Sequence, residues 1–204
     1  MIQDILSKIK SKRLILFGEI HGTKEIPELL LNLFSDLAKT EDFNLGLEIP
    51  NEFQNIELDK VFQLIKETGT SGLISEDYIK LIKKMPKNIK IFFIAPSTIK
   101  NQEEMEKGIS DNILKLVNNK RTFIILGNIH ASKNRIMTEN FDIVPAGFLI
   151  YQKLKDKMFS ILIKAKSGEF FNNGIKQIVP DENGSFDNNF DYIYELDNVS
   201  PCSF

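Results

Sequence analysis

Arg13-Leu14-Ile15-Leu16-Phe17-Gly18-Glu19-Ile20-His21-Gly22 and Arg121-Thr122-Phe123-Ile124-Ile125-Leu126-Gly127-Asn128-Ile129-His130-Ala131 are two versions of one phrase. Each begins with a run of β-branched, aromatic and leucine side chains. Each then reaches a Gly and, three residues on, a His. An unbroken apolar run of this length reads as a strand covered on both faces, as in a parallel sheet. The Gly lets the chain turn out of the strand and lets another group approach its backbone. A His just beyond stands at the strand's exit, where open α/β sheets place their sites. His21 and His130 are the only two histidines of the chain. The shared frame predicts that they face one cavity.

The rest of the chain alternates around these two strands. A short amphipathic helix (Ile2 to Ser11) precedes strand Arg13 to Phe17. A helix over Glu25 to Lys39 follows, with Leu29, Leu30, Leu33, Phe34 and Leu37 on one face and Pro27 in its first turn. Strand Asn44 to Ile49 is stopped by Pro50. Helical stretches Glu57 to Glu67 and Ser75 to Met85 come next, the second capped by Ser75. Strand Lys90 to Ala95 and helix Glu103 to Val117 then lead to strand Thr122 to Leu126. A loop after His130, a helix from Pro145-Ala146-Gly147 to about Lys155, and strands Phe159 to Lys164 and Asp191 to Leu196 complete the pattern. Gly, Asn and Asp cluster between Ser167 and Asn189, which predicts loops or a hairpin-like excursion. Four strand–helix alternations predict an α/β fold in a single domain over residues 1–204, with a largely parallel central sheet flanked by helices. The C-terminal strands are open to antiparallel addition.

Composition narrows the functional classes. With 26 Lys and Arg against 28 Asp and Glu, the chain carries a formal charge of −2. It shows no basic cluster of the kind nucleic acid requires. Lys83, Lys84 and Lys87 are interleaved with apolar residues and read as a solvated helix face. No apolar run is long enough to span a membrane. The N-terminus lacks a signal-peptide pattern, and one cysteine, Cys202, excludes an internal disulfide. These features predict a cytoplasmic protein with neither a nucleic-acid partner nor a membrane span. They leave its oligomeric state open.

In a parallel sheet the strand exits share one edge. That edge would gather Glu19, His21, Glu48, Asn128 and His130. Glu19 and His21 are two apart and point the same way from an extended segment, and Glu48 ends the apolar string Leu45-Gly46-Leu47. Two imidazoles and two carboxylates support three chemistries. They can hold a divalent metal such as Mn, Co or Zn. They can act without metal, His21 taking a proton from water near neutral pH while Glu48 orients it. Or they can bind haem through an axial His, for which Phe148, Tyr151, Phe170 and Phe171 offer apolar surface. A strand-end Glu48 simply exposed to water is the alternative to all three. H-E-x-x-H, paired cysteines, a Walker loop and a G-x-S-x-G elbow are absent from the sequence.

The segments LFGEIHGTKEIPELLLNLF, LGLEIP and LGNIHASK, with GISDNILKL and the ending FDYIYELDNVSP, resemble the superfamily that joins erythromycin esterases, Tiki/TraB proteins and ChaN-like haem-binding proteins. The matching positions are Gly18, Glu19, His21, Glu48, Gly127 and His130. The resemblance spans most of the chain and implies either an ester or amide hydrolase, possessing Glu19, His21, Glu48 and His130 as catalytic or metal-holding residues, or a haem or metal-ligand binding protein without turnover. The chain departs from the pattern at one point. Esterase-like members tend to carry an Arg-Asp pair ahead of the Asn-bearing helix segment, and Met105 and Glu106 stand there instead.

Overall fold

Strand β1 (Leu14–Glu19) and strand β4 (Thr122–Gly127) lie side by side and parallel, with Gly18 opposite Leu126 and Glu19 opposite Gly127. A computed structural model describes residues 2–67, 75–117, 120–137, 142–179 and 186–203. Helix α1 (Ile2–Ile9) precedes β1, and between the two strands come α2 (Glu25–Leu37), β2 (Asn44–Pro50), α3 (Leu58–Glu67), α4 (Glu76–Lys84), β3 (Lys90–Ala95) and α5 (Gln102–Leu116). After β4 follow a one-turn helix α6 (Asn128–Ala131), the short strands β5 (Ile136–Met137) and β6 (Asp142–Ile143), α7 (Ala146–Leu154), β7 (Met158–Ala165), β8 (Glu169–Phe171), β9 (Ile175–Gln177) and β10 (Tyr192–Leu196). The central sheet has six strands in the order β10-β7-β1-β4-β2-β3, every neighbouring pair parallel.

The strands therefore follow the expected alternation, with one refinement. β7 and β10, open to antiparallel addition on sequence grounds, join the sheet parallel. Antiparallel pairing is confined to β5 with β6 and to the β8–β9 hairpin, which sits in the Gly- and Asn-rich excursion. Part of that excursion, residues 180–185, lies outside the described residues. His130 itself lies on α6, which starts directly from β4, and the expected loop follows it over residues 132–135.

Alternation along β1 and β4 divides the core in two. Ile15 and Phe17 with Phe123 and Ile125 face one layer, against Ile5 and Ile9 of α1, Leu30, Leu33 and Phe34 of α2, and Leu81 and Ile82 of α4. Phe17, Phe34, Phe43 and Phe123 meet there with ring centroids 4.8–6.5 Å apart. Leu14 and Leu16 with Ile124 and Leu126 face the other layer, against Ile109 and Ile113 of α5 and Ile150 of α7. The period of two is what lets one buried strand serve both layers. Ser75 caps α4 by accepting from the Tyr78 backbone N–H, as its sequence predicts.

This arrangement fixes where the site must be. The chain leaves β1 for α2, on one layer, and next enters the sheet at β2. It leaves β4 for α6 and α7, on the opposite layer, and next joins this sheet at β7, on the far side of β1. Adjacent strands whose connections depart to opposite faces make a topological switch point, and the carboxyl ends of such strands bound a crevice. His21 and His130 follow those two ends.

Candidate active site

Each histidine is held from behind by a buried carboxylate. His21 Nδ1 lies 2.5 Å from Glu19 Oε1, and Glu19 is 1% exposed. The Tyr78 hydroxyl donates to the same oxygen at 2.5 Å. His130 Nδ1 lies 2.8 Å from Glu106 Oε1, and Glu106 is again 1% exposed. The second oxygen of Glu106 accepts from the Ala146 N–H at the start of α7, where the helix dipole favours an anion. Carboxylates on both Nδ1 atoms orient the rings and leave the two Nε2 atoms to meet a ligand.

Glu48 stands between those Nε2 atoms. Its Oε2 is 3.5 Å from His21 Nε2 and its Oε1 is 3.4 Å from His130 Nε2. It is buried, so the alternative of a water-exposed strand-end glutamate is excluded. The pairing of β2 with β3 shifts register between Leu47 and Pro50, and Glu48 sits in that irregularity. Such shifts re-aim side chains at strand ends. The Gly127 N–H donates to Glu48 Oε2 at 2.7 Å, tying β2's carboxylate to the end of β4. A Cβ on Gly127 would lie 3.1 Å from His21 Nε2 and 3.4 Å from His130 Cδ2, so the glycine lets the imidazoles close over the backbone.

The loop bearing His21 is pinned from the far end of the chain. Gly22 has φ +88°, and its carbonyl accepts from the N–H groups of both Phe171 and Cys202. Lys24 N–H donates to Ser200 O, and Ser200 N–H to Glu25 Oε2. The array opens on a cavity of about 500 Å³ whose wall includes Ile20, Asn128, Ile129, Phe170 and Asn172. His21 Nε2 is buried there without a hydrogen-bond partner.

The expected residues Glu19, His21, Glu48 and His130 are thus brought together, with Asn128 on the cavity wall. Glu106 and Tyr78 were missed as members of the site. In the sequence Glu106 stands out only as a departure from the superfamily pattern, and a glutamate in a helix carries no mark of burial. Tyr78 carries no signal beyond the helix start that places it.

The charge state differs from expectation. Burial works against the His21 cation, but Glu19 and then Glu48 outweigh it and raise the group from 6.5 to about 10. Burial likewise opposes the Glu48 anion, yet the two imidazoles beside it and the Gly127 N–H bring it from 4.5 down to about 2. His130 is raised too: burial lowers it, Glu106 and Glu48 raise it more, and repulsion from His21 opposes the rise. Such a value for His21, about 10, favours its imidazolium form at neutral pH over the neutral base expected to accept a proton from water.

The described residues do not single out a cofactor. Among the described residues no group of three or more His, Cys, Asp or Glu side chains is placed to hold a metal ion. Glu19 and Glu106 engage the Nδ1 atoms of His21 and His130, and the Gly127 N–H engages Glu48. For haem, only Phe170 of the four aromatic candidates lines the histidine cavity. Tyr151 lies beneath the ammonium groups of Lys133 and Lys155. Among the described residues no helix is long and apolar enough to cross a membrane.

An α/β protein with a six-stranded parallel sheet and a buried His–Glu–His array at its switch point is the class that fold and site define. No protein-family profile matches the chain, and no curated protein matches it. Solved structures do. A succinoglycan biosynthesis protein superimposes with a TM-score of 0.76 at 12% identity, covering 99% of this chain and 92% of the other. A protein from Bacillus cereus gives 0.66 at 13% identity, covering 100% and 93%. An erythromycin esterase mutant in its open conformation gives 0.56 at 10% identity, covering 86% and 78%. This chain therefore shares its fold with an erythromycin esterase.

Proposed function

We propose that the protein is a hydrolase acting on an ester or amide bond of a small molecule or peptide, and a member of the erythromycin esterase, Tiki/TraB and ChaN-like superfamily. The observation that carries this reading is the His21 edge. A buried, unpartnered Nε2 faces a cavity across a carboxylate from a second imidazole. Both imidazoles are held above the ordinary histidine value, His21 at about 10, and a protonated imidazole facing a second one across a carboxylate suits the donor and acceptor roles of acid–base catalysis.

In this reading His21 enters as the proton donor. Its Nε2–H points toward the oxygen or nitrogen that leaves, and its charge stabilises negative charge developing on the carbonyl oxygen. His130 in its neutral form accepts a proton from the attacking water at Nε2, with Glu106 receiving the hydrogen bond from Nδ1–H. Glu48 keeps both rings in line and offsets the charge that appears on His130. Glu19, with Tyr78 behind it, holds His21 in its protonated form. After water has added and the bond has broken, His21 has given up one proton and His130 has gained one. Exchange between them or with solvent restores the start. The shared fold of an erythromycin esterase supports this assignment, as does the match of Glu19, His21, Glu48 and His130 to the superfamily pattern.

The test is a panel of model esters and amides, run with chelator and with added Mn, Co or Zn, on the wild type and on His21→Ala, His130→Ala and Glu48→Gln. Turnover is expected from the wild type with chelator present. Loss of a positioned acid or base should lower it by about two to four orders of magnitude. Turnover that survives all three substitutions places the chemistry elsewhere. No turnover under any condition, with a Soret shift on mixing with haemin, favours a binding protein.

A further inference from the structure

A second cavity of the described residues is larger than the histidine cavity. It is a cleft of about 650 Å³ beside α5, α7 and the β5–β6 ribbon. Its size falls within the usual range for small-molecule sites, roughly 300–1,000 Å³. Its wall includes Glu106, the buried carboxylate that holds His130. The two cavities thus meet at one hydrogen-bonded pair, Glu106 and His130.

The chemistry of the cleft selects against charge. Arg135 and Asp142 neutralise one another through two hydrogen bonds, Nε to Oδ1 and Nη2 to Oδ2. Glu106 is committed to His130, to the Ala146 N–H and to the Gln102 amide. The charged side chains that remain on the wall are Glu103 and Asp111 against Lys107 and Lys153, two of each sign. Ile143, Val144 and Leu149 supply apolar surface, and Gln102 and Gln152 add amides that both donate and accept. Planar amides and carboxylates pair two-pronged with adjacent hydroxyl groups, and aliphatic surface suits the C–H face of a saturated ring.

We propose that this cleft is a second binding site, for a neutral molecule with adjacent hydroxyl groups such as a sugar ring or cyclic polyol, and that its occupancy is transmitted to His130 through Glu106. A ligand hydroxyl that reaches the Glu106 carboxylate competes with the Gln102 amide and redistributes the hydrogen bonds that orient His130. Binding in the cleft does not depend on the hydrolase reading.

The chain's two histidines make the test direct. Imidazole resonances of the full protein are assigned with His21→Ala and His130→Ala. The wild type is then titrated with myo-inositol, methyl glucoside and methyl galactoside. Saturable displacement of the His130 signal, with His21 moving less, is expected for at least one probe. Leu149→Trp, which fills the cleft, and Asp111→Ala, which removes a wall carboxylate, should each weaken that response at least tenfold while the unliganded spectrum stays native. A larger response at His21 would place the probe in the reaction cavity and overturn the proposal. So would an unchanged response in both folded variants, or no saturable response to any probe. Because the readout is spectroscopic, failure of the hydrolase reading alone leaves the expected shifts intact.

Discussion

Glu106 and His130 are 24 positions apart in the chain, yet Glu106 Oε1 lies 2.8 Å from His130 Nδ1. The contact joins α5 to α6, and the other Glu106 oxygen reaches the first N–H of α7. One carboxylate therefore ties three helices together and sets the ring that faces Glu48. Glu106→Leu should leave the Ala146 N–H and His130 Nδ1 without it, at about 1–3 kcal/mol for each buried group left unpaired. Denaturant unfolding should show a clearly lower midpoint. Glu106→Gln, which retains an oxygen and an N–H, should cost less in stability but lower the affinity of His130 for its proton. A histidine titration by NMR measures this directly.

Tyr78→Phe removes one of the two hydrogen bonds to Glu19 Oε1 while keeping the ring in the core. A loss of about 1–3 kcal/mol is expected, because a buried charged acceptor loses a donor. The affinity of His21 for its proton should rise or stay level, since Glu19 is then compensated by His21 alone. A lowered His21 pKa would contradict the charge arrangement described above.

Stability should depend on pH in a defined way. His21 is raised in the folded state, from 6.5 to about 10. Its contribution is full below 6.5 and is lost as the pH climbs through about 10. Glu48 is lowered, from 4.5 to about 2. Its contribution is full above 4.5 and is lost as the pH falls through about 2. The two contributions are complete together between those ordinary values, about 4.5 to 6.5. Equilibrium unfolding of the wild type across pH should show a decline on both sides of that window. His21→Ala should flatten the alkaline side relative to the wild type.

The same charges shape the expected rate profile. A neutral His130 and a protonated His21 are needed together for the proposed reaction. Activity should rise with pH as His130 loses its proton and fall as the pH passes about 10, where His21 loses its own. An activity that keeps climbing well beyond that point would make His21 the acceptor, reversing the assignment.

Gly22→Ala should be among the most damaging single changes. Gly22 has φ +88°, and an added Cβ would stand 2.0 Å from the Phe171 carbonyl oxygen. The backbone conformation alone costs a residue with a side chain about 1–3 kcal/mol, and the clash adds to it. The tail and β8 would be displaced from the loop that carries His21. Thermal unfolding should therefore shift sharply downward, whereas Gly174→Ala, which meets nothing within 4 Å, should carry only the backbone strain of its own positive φ.

The sequence by itself determined the alternation of strands and helices, a largely parallel sheet, and the gathering of Glu19, His21, Glu48 and His130 at its strand exits. Those features are local, written in the unbroken apolar runs Leu14 to Phe17 and Phe123 to Leu126 and in the glycines that end the strands. Only the tertiary structure decided that β7 and β10 add parallel to the sheet, because a strand's direction depends on the path of the connection before it. It also decided that Glu106 and Tyr78 stand behind the histidines: a glutamate and a tyrosine on helices have no sequence mark of burial beside a distant imidazole. The charge of His21 belongs to the same class. An isolated histidine is mostly neutral at pH 7. This one is a cation because folding surrounds it with Glu19 and Glu48 in a place where water cannot screen them.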